Sequence, residues 1–187
     1  MGVSPTFVAW TGRMGGDWLE GVDYEQRQPS PSESTADDTA ALVLDLVSAN
    51  VDAILYAGGD GTTRDVVNTL DGNETPLIGV PAGVKMHSGC FATTPNAAAE
   101  VLLAFLQGDL MVAITEVMDL DEEIYQKGEW KVRMYGEAWT PSSPRFMQGA
   151  KEQVERASES ETIEGLANHI GNLIEDDPEP VSYTHLR

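Results

Sequence analysis

Short apolar runs alternate with amphipathic stretches along the first hundred residues of the chain. Residues 6–10, 51–56 and 77–80 are apolar runs, and each leads into a glycine-bearing segment. Such runs, bounded by turn residues, predict β-strands. Residues 19–24 form a brief amphipathic piece, and residues 28–34, with two prolines, predict a loop.

Helical spacing of apolar side chains fills the intervals between these strands. Residues 35–50 predict a helix, and Thr35 followed by Asp38 matches a capping box at its start. Two further helices are predicted, at residues 63–70 and at residues 96–107, the second capped by Thr94 with Pro95 at its first position. Strands alternating with helices predict an α/β fold, with a parallel sheet covered on both faces.

The pattern changes after Gly108. Residues 110–118 and 130–139 predict two extended strands joined by a hairpin-like link, without a helical crossover between them. We therefore expect an α/β domain at residues 1–109 and part of a β-rich domain with a helix at residues 110–180. The helix of that second portion is predicted within residues 152–175.

The segment at residues 58–62, Gly-Gly-Asp-Gly-Thr, directly follows a predicted strand and opens a predicted helix. Glycines let backbone N–H groups approach a bulky anion, and a helix start adds unpaired N–H groups. The carboxylate of Asp60 would repel a phosphate unless it holds Mg²⁺ or takes a proton from an attacking hydroxyl. The segment therefore predicts phosphoryl transfer, whereas the plainer alternative is a glycine turn capped by Asp60.

A second glycine-bearing loop, residues 81–89, leaves the end of the next predicted strand. Loops at the carboxyl ends of parallel strands gather at one edge of the sheet, so we expect both loops to share one site. Gly83 lies in this loop, Lys85 could neutralise a phosphate, and His87 could hydrogen-bond a phosphate or ribose or be purely structural.

Two nearby charged features have competing interpretations. Arg64 could reach a phosphate or pair with the neighbouring Asp65. The acidic residues Asp119, Asp121, Glu122 and Glu123 could bind Mg²⁺, but in a chain this acidic we favour a solvated turn.

Charge and composition argue against some classes of function and partner. Asp and Glu number 31 against 11 Lys and Arg, giving a formal net charge of −20, which argues against nucleic-acid and anionic-membrane partners. The spread of this charge fits a protein that works in concentrated salt. No apolar run is long enough to span a bilayer, and we expect a cytoplasmic protein. Cys90 is the single cysteine and is interpreted as a small packed residue rather than a nucleophile.

Three segments give the chain a resemblance to the ATP-NAD kinase/AcoX-like family, within the superfamily of NAD kinases, diacylglycerol kinases and phosphofructokinases. The Gly-Gly-Asp-Gly-Thr segment is typical of the superfamily, and the three together are typical of the family. They are residues 57–66, residues 79–89 with 91–95, and residues 116–123. Residues 144–145 and 148–151 also look like family positions.

The resemblance implies a phosphofructokinase-like α/β nucleotide-binding domain at residues 1–109, followed by part of a β-rich domain. It implies phosphoryl transfer from ATP (or polyphosphate) to the 2′-hydroxyl of NAD, with Mg²⁺. Asp60 matches the aspartate assigned to base or metal work. The phosphate-contacting loop corresponds to Gly58, Gly59, Gly61 and Thr62, to which we add Gly83, Lys85 and His87 as cofactor-binding candidates.

Some expected parts of the family pattern are not found. The Asn-Glu/Asp pair that holds the nicotinamide-side ribose is not located, and we expect a fragment that lacks the first strand and the end of the second domain. Residues 181–187 lack periodicity and are expected to be a non-native tail. When full length, the protein is expected to be a homo-oligomer. A lipid kinase of the diacylglycerol type and a non-catalytic nucleotide-binding protein remain alternatives.

Overall fold

A computed structural model of the protein describes residues 5–83, 86–120, 132–143 and 146–147. These residues belong to one compact unit, Met1–Lys151. Lys85, the helix expected within residues 152–175 and the tail expected at residues 181–187 lie outside the described residues. The proposed division near residue 110 stays a prediction.

Two parallel strands open the described part of the chain. Strand β1 is Phe7–Thr11 and strand β2 is Tyr24–Pro29, and they pair from Phe7 with Tyr24 onward. The residues of β2 are mostly polar and lack the apolar pattern that predicts a strand. Because β2 extends to Pro29, the loop expected at residues 28–34 begins later than predicted. Asp45, on the following helix, ties both strands together: it accepts a hydrogen bond from Trp10 Nε1 at 2.9 Å and pairs with Arg27 at 2.7 Å.

The helix that carries Asp45, α1, spans Ala36–Ser48. Its predicted capping box is confirmed: the Thr35 hydroxyl accepts the Asp38 N–H, and the Asp38 carboxylate accepts the Thr35 N–H at 2.8 Å. These bonds satisfy backbone donors that a helix start otherwise leaves unpaired. The Thr35 hydroxyl also lies 2.7 Å from Asp38 Oδ2, and its hydrogen bond to the carboxylate, with that of the Thr35 N–H, holds the pKa of Asp38 below its ordinary value.

Strand β3, Ile54–Gly58, and strand β4, Leu77–Pro81, form a second parallel pair. Helix α2, Asp60–Leu70, joins them on one side of the pair, and helix α3, Pro95–Leu106, follows β4. The predicted cap of α3 is confirmed, since the Thr94 hydroxyl accepts the Ala97 N–H at 3.0 Å. The predicted α/β class is confirmed. The strand–helix alternation predicts one parallel sheet, however, whereas the described parallel strands form two separate two-stranded sheets, β1–β2 and β3–β4.

The predicted antiparallel pair after Gly108 is present. Strand β5 is Val112–Leu120 and strand β6 is Val132–Pro141. They pair from Val112 with Pro141 to Leu120 with Val132, with a register shift between Val117 and Met118.

Apolar cores lie on both faces of the β3–β4 pair. Ile54 and Leu77 point into one cluster with residues of α1, α2, β5 and β6, whereas Ile78 points into another with residues of α3. Coverage on both faces is therefore confirmed at β4. On β3 it is incomplete, because Leu55 is 47% exposed.

None of the helices within residues 5–83, 86–120, 132–143 and 146–147 is both long enough and apolar enough to cross a bilayer.

Candidate active site

The first glycine loop is a strand end that turns directly into a helix start. Strand β3 ends at Gly58, Gly59 is extended (φ −122°, ψ −169°) as the N-cap, and α2 begins at Asp60. The helix therefore starts three residues before the position predicted from apolar spacing, because the spacing carries no signal through Gly61 and Thr62. The early N–H groups of α2 have no partner within the helix and form its positive end.

The glycines of this loop differ in what surrounds them. A Cβ on Gly58 would lie 2.7 Å from the Cβ and hydroxyl of Thr62, so the close approach of β3 and α2 requires glycine there. At Gly59 and Gly61, apart from chain neighbours and the backbone of α2 itself, no atom of the residues that the structure describes lies within 4 Å of the position a Cβ would take. The space beside these two glycines is open, and a ligand could approach the backbone there.

The second glycine loop lies beside the first. Gly58 pairs with Pro81 at the ends of β3 and β4, and the Ala82 N–H donates to the Gly58 carbonyl at 3.1 Å. Gly83 and His87 are exposed in this loop. The expectation that both loops lie at one edge of the parallel pair is confirmed.

Asp60 joins the two loops through its carboxylate. Although only 5% exposed, it accepts the His87 N–H on Oδ2 at 2.7 Å. Its Oδ1 accepts both the Ser88 N–H at 2.9 Å and the Ser88 hydroxyl at 2.7 Å. A carboxylate oxygen offers about two acceptor positions, so the bonds from residues that the structure describes fill Oδ1 and leave one position on Oδ2.

Ser88 was not identified as a site residue from the sequence. It is fully buried, and its hydroxyl also accepts the Met118 N–H at 3.1 Å and lies 3.0 Å from the Met118 carbonyl. The next residue, Gly89, donates its N–H to the Glu116 carbonyl at 3.0 Å. Ser88 therefore connects Asp60 to β5. Because its partners lie 28 and 30 residues away in sequence, no local sequence pattern predicts these contacts.

Comparison with models of protein families identifies the family of this chain. The model described as the ATP-NAD kinase N-terminal domain matches residues 5–110, more than half of the chain. The chain belongs to the NAD kinase family. The matched segment includes both glycine loops and Asp60, and the resemblance inferred from the sequence motifs is confirmed. Comparisons with curated proteins and with solved structures gave no match.

Behind the first loop of this NAD kinase family member lies a chain of buried polar groups. The Thr63 hydroxyl donates to the Gly59 carbonyl at 3.1 Å, the Tyr56 hydroxyl lies 2.6 Å from the Thr63 oxygen, and Cys90 Sγ lies 3.2 Å from the Tyr56 hydroxyl. Because each hydroxyl has one proton, donation runs from Cys90 to Tyr56 to Thr63 to Gly59. The chain fixes the carbonyl of the residue that caps α2.

Burial changes the acidity of this polar chain. It raises the pKa of the Tyr56 hydroxyl well above its ordinary value, and it raises the pKa of the Cys90 thiol to about 11. Both groups therefore stay protonated near neutral pH and act as hydrogen-bond donors. These properties support the interpretation of Cys90 as a packed residue.

We expect Cys90 in the folded NAD kinase domain to resist thiol reagents. At pH 8 a thiol with a pKa near 11 is ionised to roughly 0.1%, and the thiolate is the reactive form. Titration with an aromatic disulfide reagent should show a slow reaction that becomes rapid in denaturant. Rapid reaction of the folded protein would contradict the burial of this thiol.

Arg64 does not pair with the neighbouring Asp65, and its contact with a phosphate stays a prediction. It forms an ion pair with Asp119 at 3.1 Å, and its guanidinium lies 5.3 Å from the centre of the Tyr135 ring. Arg64 thereby links α2 to both β5 and β6. Asp121, Glu122 and Glu123 lie outside the described residues.

Few side chains that could bind a metal ion lie close together in the part of the chain that the structure describes. Within it, no group of three or more His, Cys, Asp or Glu side chains is arranged to hold an ion. Mg²⁺ in phosphoryl-transfer sites needs only one or two carboxylates, with substrate phosphates and water as its other ligands. The remaining acceptor position on Asp60 Oδ2 fits this requirement.

Proposed function

We propose that the protein transfers a phosphoryl group from ATP (or polyphosphate) to the 2′-hydroxyl of NAD, forming NADP. The observation that carries this proposal is the position of Asp60, at the start of α2 and between two adjacent glycine loops, in a chain of the NAD kinase family. An open helix start next to a carboxylate combines the two requirements of phosphoryl transfer: donors for phosphate oxygens and an acceptor for a proton.

In the proposed complex, the phosphates of the donor lie along the start of α2. The N–H groups of Gly61 and Thr62 are available there, and the open space beside Gly59 and Gly61 leaves room for phosphate oxygens. Gly83, Lys85 and His87 of the second loop are assigned to the nucleotides. Lys85 supplies positive charge in a chain whose net charge is −20.

Asp60 acts as the base through Oδ2. The 2′-hydroxyl oxygen forms a bond to the transferred phosphorus while the bond from that phosphorus to the donor's bridging oxygen breaks, and the hydroxyl proton passes to Oδ2. Oδ1 cannot serve this role, because the Ser88 N–H and hydroxyl occupy it. The three hydrogen bonds on the carboxylate hold its plane in place, which lowers the cost of orienting it for proton transfer.

Mg²⁺ is the cation assigned to this site. When bound, it neutralises the negative charge that develops on the phosphate oxygens. Asp60 is the residue proposed to hold it, together with the substrate phosphates. Because one acceptor position remains on Oδ2, the base role and the metal role of Asp60 are alternatives and not simultaneous.

A second candidate function is nucleotide binding without catalysis. It is favoured by the burial of Asp60, whose 5% exposure and three hydrogen bonds are also what a purely structural carboxylate would have. In this case Asp60 would only fasten the second loop to α2.

The two candidates predict different results when the purified protein is incubated with NAD, Mg²⁺ and either ATP or polyphosphate. The kinase proposal predicts NADP formation, measured with an NADP-specific dehydrogenase. Omitting the donor or adding a chelator should abolish NADP formation. ATP binding measured by calorimetry without any NADP formation would contradict the kinase and support the binding protein.

A further inference from the structure

Ser88 makes contacts that a buried serine in a loop does not need for packing alone. Its N–H and hydroxyl both donate to Asp60 Oδ1, at 2.9 Å and 2.7 Å. The hydroxyl oxygen accepts the Met118 N–H at 3.1 Å. One side chain thus contacts the start of α2 and strand β5 at the same time.

The hydroxyl proton of Ser88 has two acceptors within reach. Asp60 Oδ1 lies at 2.7 Å and carries negative charge, whereas the Met118 carbonyl lies at 3.0 Å and is neutral. Hydrogen bonds to a charged acceptor are shorter and stronger, so the proton is directed to Asp60. This bond fills the second acceptor position of Oδ1.

The consequence concerns which carboxylate oxygen remains free. With the Ser88 hydroxyl in place, Oδ1 has two donors and Oδ2 has one, from the His87 N–H. Without that hydroxyl, each oxygen would have one donor, and the two oxygens would be equivalent in their remaining capacity. The carboxylate would then lose the asymmetry that directs Oδ2 toward a reacting hydroxyl.

We propose that Ser88 is a positioning residue, which holds the Asp60 carboxylate so that Oδ2 is the oxygen presented to the phosphoryl acceptor. The proposal rests on the function proposed above. It adds that β5 takes part in the alignment, because Met118 fixes the Ser88 hydroxyl from the opposite side. The register shift between Val117 and Met118 lies at this contact.

The kinetic test compares Ser88→Ala with Thr140→Val. Thr140 is also buried, and its hydroxyl donates to the Leu77 carbonyl at 2.8 Å without contacting Asp60. Ser88→Ala should lower kcat for NADP formation by at least about 10-fold, since small misplacements of reacting groups have large kinetic costs. The KM values for NAD and ATP should stay within about 2-fold, because Ser88 acts through Asp60 and not on ligand binding. Thr140→Val should leave kcat unchanged.

A double-mutant cycle tests the contact itself without relying on activity. The free energies of unfolding of Ser88→Ala, Asp60→Asn and the double variant are measured in urea. Two residues in direct contact should show destabilisations that do not add.

The results separate this proposal from the kinase proposal. Unchanged kcat in Ser88→Ala, or equal loss of kcat in Thr140→Val, overturns the positioning role. Additive destabilisations overturn the contact on which it depends. If the unaltered protein forms no NADP while the cycle is non-additive, the kinase proposal fails and Ser88 is structural.

Discussion

Replacing Asp60 by asparagine is expected to abolish NADP formation and also to loosen the second loop. A general base contributes about 10²–10⁴-fold to a rate, so turnover should fall by at least 100-fold. Asparagine has one acceptor oxygen where Asp60 uses two. In either orientation its amide NH₂ would face a backbone N–H, that of His87 or that of Ser88. Leaving one buried donor unpaired should cost about 1–3 kcal/mol of stability.

The measurements are steady-state NADP formation and urea unfolding, with Asp45→Asn as the control. Asp45 is also a hydrogen-bonded carboxylate with little exposure, but it joins Trp10 and Arg27 and lies on α1. The control should lose stability and keep its turnover. Near-normal turnover in Asp60→Asn would remove Asp60 from both the base role and the metal role.

Substituting alanine at Gly61 should separate ligand binding from folding. Gly61 lies in the first turn of α2, and its Cβ would meet no atom within 4 Å. A glycine replaced by alanine in a compatible conformation gains about 0.4–1 kcal/mol of stability. The added methyl group would enter the space assigned to phosphate oxygens, so ATP affinity should fall by about 10-fold, equivalent to 1.4 kcal/mol. The protein should therefore become more stable and bind ATP less tightly.

Gly58→Ala is the matched comparison, and it should lower the stability of the protein and have little effect on ATP affinity. Its methyl group would stand 2.7 Å from the Cβ of Thr62, and overpacking of this kind costs about 1–3 kcal/mol. Thermal unfolding and calorimetric titration with ATP measure both effects in both variants. Unchanged ATP affinity in Gly61→Ala would show that the open space beside α2 is not where the phosphates lie.

Capped helices and regular apolar strands were predictable because their signals are local. The capping box at Thr35 and Asp38 and the cap at Thr94 each involve residues three positions apart. Strand β2 was missed because its residues are mostly charged or polar, and its pairing with β1 is a backbone property. The predicted start of α2, at residue 63, lies three residues after the observed start at Asp60. The reason is related, since Gly59 and Gly61 have no side chains that could contribute to a helical pattern of apolar residues.

The site was predictable only where the order of strands and loops along the chain determines which segments are neighbours. Parallel strands bring the loops after β3 and β4 to one edge, so the neighbourhood of Asp60 and the second loop followed from topology. The contacts of Ser88 did not, because they join residues 28 and 30 positions apart. The ion pair of Arg64 with Asp119 was likewise hidden, and the adjacent Asp65 was the nearer partner in sequence.

The contacts around Asp60 have a consequence for how sequence variation in this family should be interpreted. His87 and Gly89 contribute N–H groups, and Met118 contributes both its N–H and its carbonyl. Any residue except proline can supply those groups. Substitutions at His87 or Met118 can therefore preserve the hydrogen bonds on Asp60 and Ser88, although a change at His87 would remove a side chain assigned to the nucleotides. Ser88 and Asp60 are different, because there the side chain itself forms the bond. Divergence at positions 87 and 118 is thus compatible with intact hydrogen bonds around Asp60, whereas divergence at positions 60 and 88 is not.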